Sequence, residues 1–143
     1  MNKKIITLQG KGNTGKTRTL KCLIEKIKQQ HEIEELYVGN ENAVIITKIN
    51  NKKLGVTTYG DTRKELEEKF DLMGECDFYV CASRSKGDTL KFLEEETAQG
   101  ILIKHGKWYF ESKDYKCDFK NIVSEINNMQ TQVIYKEIID ILK

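Results

Sequence analysis

The chain contains no proline. That absence excludes polyproline linkers and PxxP recognition segments, and no Gly/Ser-rich or low-complexity tract takes their place. With no internal repeat either, the 143 residues are expected to form a single domain, residues 1–143, large enough to bury its own core. Long apolar runs are missing: none approaches the ~20 residues that cross a bilayer, and the first residues lack the apolar centre of a secretory signal. The expected setting is cytoplasmic, away from membranes. A marked charge of either sign is absent too, because 24 basic residues face 22 acidic ones for a net +2. A strongly basic nucleic-acid binder is therefore not indicated. The four cysteines, Cys22, Cys76, Cys81 and Cys117, form no C-x-x-C pair, and the two histidines, His31 and His105, have no ligand partners at zinc spacing. The thiols read as reduced core or strand residues. His31 falls where the first helix should end, a favourable place for a cation.

What the chain does have begins at Gly10. Gly10-Lys11-Gly12-Asn13-Thr14-Gly15-Lys16-Thr17 fits the phosphate-binding pattern G-x-x-x-x-G-K-[ST]. The apolar run Ile5-Ile6-Thr7-Leu8 before it reads as a buried strand. Residues 17–30 after it read as a helix with Leu20, Leu23, Ile24 and Ile27 on one face. Strand, loop and helix thus come in the order that such a loop requires. Its glycines permit backbone shapes in which successive N–H groups converge on phosphate oxygens, while the helix N-terminus adds its positive dipole end. In that geometry Lys16 reaches the β- and γ-phosphates and the Thr17 hydroxyl ligates Mg²⁺.

The remaining pattern alternates strands and helices. Residues 31–37 read as a polar surface connection. Residues 43–49 and 53–59 are β-branched and apolar around Asn50-Asn51, a hairpin signal because asparagine tolerates positive φ. Asp61 or Thr62 can cap a helix over 63–72. Residues 76–83 read as a buried strand, 84–88 as a loop and 89–97 as a helix ended by Gly100. Residues 101–104 and 107–110 form either a second hairpin or one last strand centred on Trp108, with Trp108 and Tyr109 expected in the core, stacking on a base being their other reading. Residues 119–142 carry apolar positions at helical spacing and should cover one face of the sheet.

Outside the loop, Asp61 is the candidate for the water shell of the metal, since it follows a strand and precedes a helix; serving only as a helix cap is its other reading. Arg84 and Lys86, in the loop after residues 76–83, are placed to face a terminal or acceptor phosphate, or else are solvated charges. Lys11 and Arg18 border the loop, and Arg63 lies beside Asp61, each either a phosphate contact or a surface residue. A nucleophile elbow G-x-S-x-G, an H-E-x-x-H motif and a second glycine fingerprint are all missing, so other chemistries lose support.

Over residues 10–17 the chain resembles the P-loop NTPase superfamily, whose phosphate-binding motif it matches completely. The resemblance implies a three-layer α/β/α fold around a mainly parallel sheet, here of about five strands with one β-hairpin. It also implies binding of a nucleoside triphosphate as Mg-ATP or Mg-GTP, with Lys16 on the phosphates and Thr17 on the metal. The order of strand, loop, helix, hairpin and Asp61 is similar to the kinase and GTPase division, in which the acidic strand neighbours the phosphate-loop strand. Tyr59-Gly60-Asp61 and Cys81-Ala82-Ser83-Arg84 are similar to segments of small bacterial and phage ATP-binding P-loop proteins. The chain departs from GTPases in two places. Thr62-Arg63-Lys64 follows Asp61 with no D-x-x-G glycine, and Ser85-Lys86-Gly87-Asp88 has serine where N-K-x-D has asparagine. ATP is therefore expected over GTP. Arg18, Arg63 and Arg84 are the only arginines, which leaves little for the arginine-rich lid of a nucleotide kinase.

The resulting expectation is a Mg-ATP-binding P-loop protein that hydrolyses ATP slowly or transfers its γ-phosphate through Lys16, Thr17, Asp61 and Arg84 or Lys86. Two alternatives stay open. One is a nucleotide-dependent switch or partner-binding module with little turnover, and the other is a small-molecule or nucleotide kinase. A protein partner, or a second copy of the chain supplying an arginine, is compatible with each.

Overall fold

The computed structural model describes residues 2–12, 14–108 and 120–143. Its elements follow one another as β1 (Lys4–Gln9), α1 (Lys16–Gln30), β2 (Ile33–Val38), β3 (Ala43–Ile49), β4 (Lys52–Thr57), α2 (Arg63–Met73), β5 (Phe78–Ser83), α3 (Asp88–Glu96), β6 (Ile101–Gly106) and α4 (Lys120–Ile141). The strands build one six-stranded sheet in the order β2-β3-β4-β5-β1-β6. Strands β4, β5, β1 and β6 run parallel, with Ile6 opposite Val80 on one side and Ile103 on the other. Strands β2 and β3 are joined antiparallel.

The sheet is thus mixed, parallel over β4, β5, β1 and β6 and antiparallel through the β3–β4 hairpin and β2, and has one strand more than expected. The addition is β2, which falls in the stretch read as a surface connection. It lies at the edge of the sheet with Glu34 and Glu35 exposed, so it lacks the apolar alternation of a half-buried strand. Backbone pairing to β3 holds it, with a register shift between Glu35 and Tyr37, and Thr47 Oγ1 donates to the Glu32 carbonyl at 2.6 Å. The hairpin matches its reading: Asn50 and Asn51 take φ of 53° and 64° between β3 and β4, the left-handed pair of a tight primed turn.

Successive strand residues face opposite ways, and the core divides accordingly. Ile6 and Leu8 of β1, with Val80 and Ala82 of β5, pack with Leu20, Leu23 and Ile27 of α1 and with Ile134 and Ile138 of α4. Ile5, Tyr79 and Cys81 pack instead with Leu66, Phe70 and Met73 of α2 and with Phe92 and Leu93 of α3. The apolar face read into α1 is therefore buried as expected, and α4 does cover the sheet. The Cys81 thiol is buried, and desolvation pushes its pKa up to about 12; Cys22 and Cys76 are half-buried free thiols, and Cys117 lies outside the described residues.

The last strand differs from its reading. It spans Ile101–Gly106, so it is not centred on Trp108, and Trp108 is 46% exposed rather than core. The chain turns away because Lys107 N makes a last ladder-like bond to the Gln9 carbonyl at 2.7 Å, while Trp108 N donates to Gln130 Oε1 on α4 at 2.9 Å. Tyr109, Phe110 and Phe119 lie outside the described residues. Among the described residues no helix is long and apolar enough to cross a membrane.

Helix α2 begins with a reciprocal cap. Thr62 Oγ1 accepts from Glu65 N at 3.2 Å and donates to Glu65 Oε1 at 3.0 Å. Such a cap satisfies an amide that the first turn leaves free. We expect Thr62→Ala to lower unfolding free energy by about 1 kcal/mol in urea titration, with the slope unchanged.

Candidate nucleotide site

Strand β1 ends at Gln9, and the loop that follows is fastened to the end of β5. Gly10 N donates to the Ser83 carbonyl at 3.2 Å, and the Ser83 hydroxyl accepts from Thr7 Oγ1 at 2.8 Å. Within the loop, Thr14 Oγ1 donates to the Lys11 carbonyl at 2.8 Å. Gly15 caps α1 with φ of 92°, a left-handed conformation that strains any residue with a Cβ. The helix start has no side-chain cap bond and no acidic residue in its first turn. Its N–H groups and dipole are therefore left for an external anion. Asn13 lies outside the described residues.

Lys16 is 5% exposed. Its ammonium donates to the Gly10 carbonyl at 2.6 Å and the Ser83 carbonyl at 3.2 Å. Burial lowers its pKa, the Asp61 carboxylate opposes that shift, and Arg84 reinforces it. A buried ammonium held only by neutral carbonyls is incompletely compensated.

Asp61 reaches Lys16 by a route other than the one expected. The strand before it, β4, does not neighbour β1, because β5 lies between them. The connection after β4 crosses over the end of β5 instead: Ala82 N donates to the Tyr59 carbonyl at 3.3 Å, and Gly60 lies directly on Ala82. A Cβ on Gly60 would sit 2.0 Å from the Ala82 carbonyl oxygen. Only a residue without one lets the chain pass there. Asp61 does not end a strand, β4 having stopped at Thr57, nor does it cap α2, a task that Thr62 performs.

Lys16, Thr17, Arg18 and Asp61 line a cleft of about 730 Å³ together with Thr14 and Gly15, a size within the range of ligand pockets. Gly12 stands at the loop's outer side, with Arg84 Nη2 3.5 Å from where its Cβ would be, so Arg84 lies against the loop. Lys11, Arg84 and Lys86 are exposed and are not among the described residues lining the cleft. Arg63 is engaged elsewhere, by Glu67 and Glu95 at 2.7 Å each. Among the described residues no group of three or more His, Cys, Asp or Glu side chains clusters to hold a metal. A Mg²⁺ site built from Thr17, phosphate oxygens and water needs no such cluster.

The rest of the cleft wall, Trp108 apart, was not read from the sequence. Lys107 and Trp108, just after β6, and Val123, Ile126 and Asn127 of α4 complete its wall. Asn127 is buried and its Oδ1 accepts from Thr19 Oγ1 at 3.2 Å; Thr19 Oγ1 also lies 3.1 Å from the Gly15 carbonyl, and Thr131 Oγ1 donates to the Thr19 carbonyl at 3.1 Å. Helix α4 is thus joined to α1 and to Gly15 at its start through a polar seam. The available signals were a lysine just past a strand and an asparagine at a position of α4 that packs inward. Gln9 Nε2, on the residue before Gly10, is buried without a hydrogen-bond partner among the described residues.

No family model, curated protein or solved structure matches the chain. Gly60→Ala should reveal whether the crossing matters. The added methyl meets backbone, so we expect a loss of about 1–3 kcal/mol in unfolding free energy, measured by urea titration, with wild-type stability as the contrary result.

Proposed function

We propose that the chain is a Mg-ATP-binding P-loop NTPase of three-layer α/β/α arrangement that hydrolyses ATP slowly or transfers its γ-phosphoryl group. The observation that carries this reading is the Lys16 ammonium, buried between the Gly10 and Ser83 carbonyls at the uncapped start of α1. A phosphate group would supply the missing negative charge to both features.

The residues divide the work by position. Lys16 binds the terminal phosphates and orients them against the loop amides. Thr17, through its hydroxyl, and Asp61, through water, would hold Mg²⁺, both lining the same cleft. When bound, Mg²⁺ would offset phosphate charge. Arg84, lying against Gly12, stabilises charge that develops on the transferred group. Lys86 stands outside this set. ATP is preferred over GTP because Ser85-Lys86-Gly87-Asp88 lacks the asparagine of the guanine reader and is exposed throughout. The proposed setting is the cytoplasm.

One observation favours a second reading, a nucleotide-dependent switch with little turnover. Among the described residues lining the cleft, the carboxylates are Asp61 and Glu41. With Asp61 assigned to the metal, no further carboxylate among the described residues acts on Lys16, so none of them is left beside it as a dedicated base for the attacking water.

Calorimetric titration with Mg-ATP tests the assignment. Lys16→Ala should weaken binding at least about thirtyfold, the loss expected when a buried charge pair is broken. Equal affinity in the two proteins would sink it.

A further inference from the structure

We infer that Lys107 is a second phosphate-binding cation of this cleft, acting on the same polyphosphate as Lys16. The inference rests on the nucleotide reading above and adds a residue that the phosphate-loop motif does not contain.

Lys107 lies along the two glycines that frame the loop. Its Cβ is 3.3 Å from where a Cβ on Gly10 would be, and its Cε is 3.5 Å from the same position on Gly15. The residue is 7% exposed, yet its ammonium finds only a neutral acceptor among the described residues, the carbonyl of Trp108. Burial lowers its pKa, and no described carboxylate opposes that shift. Two buried lysines therefore flank one uncapped helix start, and only Lys16 has a nearby carboxylate, Asp61. Burying an ammonium without a counter-charge is strongly unfavourable. An anion lying across both lysines relieves each of them.

Lys107 and Lys16 meet at one place in the loop: the position of a Cβ on Gly10 is 3.3 Å from Lys107 Cβ and 3.7 Å from Lys16 Cδ. The same cleft is lined by Asp61 and Thr17 and by Trp108, Val123 and Ile126. A nucleoside belongs with the aromatic and aliphatic part of that lining, and its phosphates belong with the two lysines. ATP and ADP both carry phosphates to that pair, so loss of the Lys107 charge should weaken both nucleotides.

The test uses Lys107→Met, which keeps an unbranched chain of similar reach and removes the charge. Calorimetry should show the Kd for Mg-ATP and Mg-ADP rising together by roughly tenfold to a hundredfold, while the ligand-free variant melts at a higher temperature than wild type because a buried charge has gone. Wild-type affinity in the variant, or a loss confined to ATP, overturns the inference but leaves the nucleotide reading standing. Failure of the wild-type protein itself to bind either nucleotide overturns both. A measurement on the wild type stands beside the variant. Trp108 is the only tryptophan, and its carbonyl holds the Lys107 ammonium. Magnesium pyrophosphate, which has no base, should shift Trp108 emission at concentrations that displace ADP; unchanged emission there contradicts the assignment.

Discussion

A lysine ammonium buried between two backbone carbonyls ties the first loop of the chain to the end of its fifth strand. The Lys16 contacts to Gly10 and Ser83 exist because β1 and β5 run side by side and in the same direction, Gln9 opposite Ser83. Parallel pairing brings the C-terminal ends of β1, β5 and β6 to one edge of the sheet, where the loops can build a cleft. The packing of Leu20, Leu23 and Ile27 on the sheet then fixes where α1 starts. The direction of its free amides follows from that.

The cleft depends on places where a side chain is missing as much as on those present. Gly60 lets the connection after β4 lie on the Ala82 carbonyl, so the Asp61 carboxylate in that connection comes within electrostatic reach of Lys16. Gly10 and Gly15 leave room for Lys107. Adding a methyl at any of these positions acts on the placement of charges before it touches a ligand. The seam of Thr19, Asn127 and Thr131 gives α4 the same dependence on the loop, because buried polar groups must keep their partners.

Much of this was legible from the sequence where apolar period and turn chemistry agree. The strand before Gly10, the stripe of α1, the Asn50-Asn51 hairpin and the Thr62 cap each rest on local rules that the fold does not override. Strand β2 was illegible because edge pairing is a backbone affair, and exposed Glu34 and Glu35 mask it. The insertion of β5 between β1 and β4 is a long-range choice that no local pattern records. Trp108, expected in the core, is exposed, its backbone N–H bonded to Gln130 of α4, while its neighbour Lys107 is buried; both follow from the packing of α4, which no local pattern near residue 108 records. Of the cleft's lining, Thr14 to Arg18 and Asp61 were singled out from the sequence, whereas Lys107 and the residues of α4 became visible only in three dimensions.

The central claim is that the loop and its two buried lysines make a site for one nucleoside triphosphate. A native mass spectrum of the protein mixed with equal amounts of ATP, GTP and adenosine in the presence of Mg²⁺ tests it most directly. The account predicts a single adduct per chain, of ATP with its metal and in preference to GTP, with none of adenosine. A spectrum in which the chain stays bare, or takes up adenosine as readily as ATP, would contradict it.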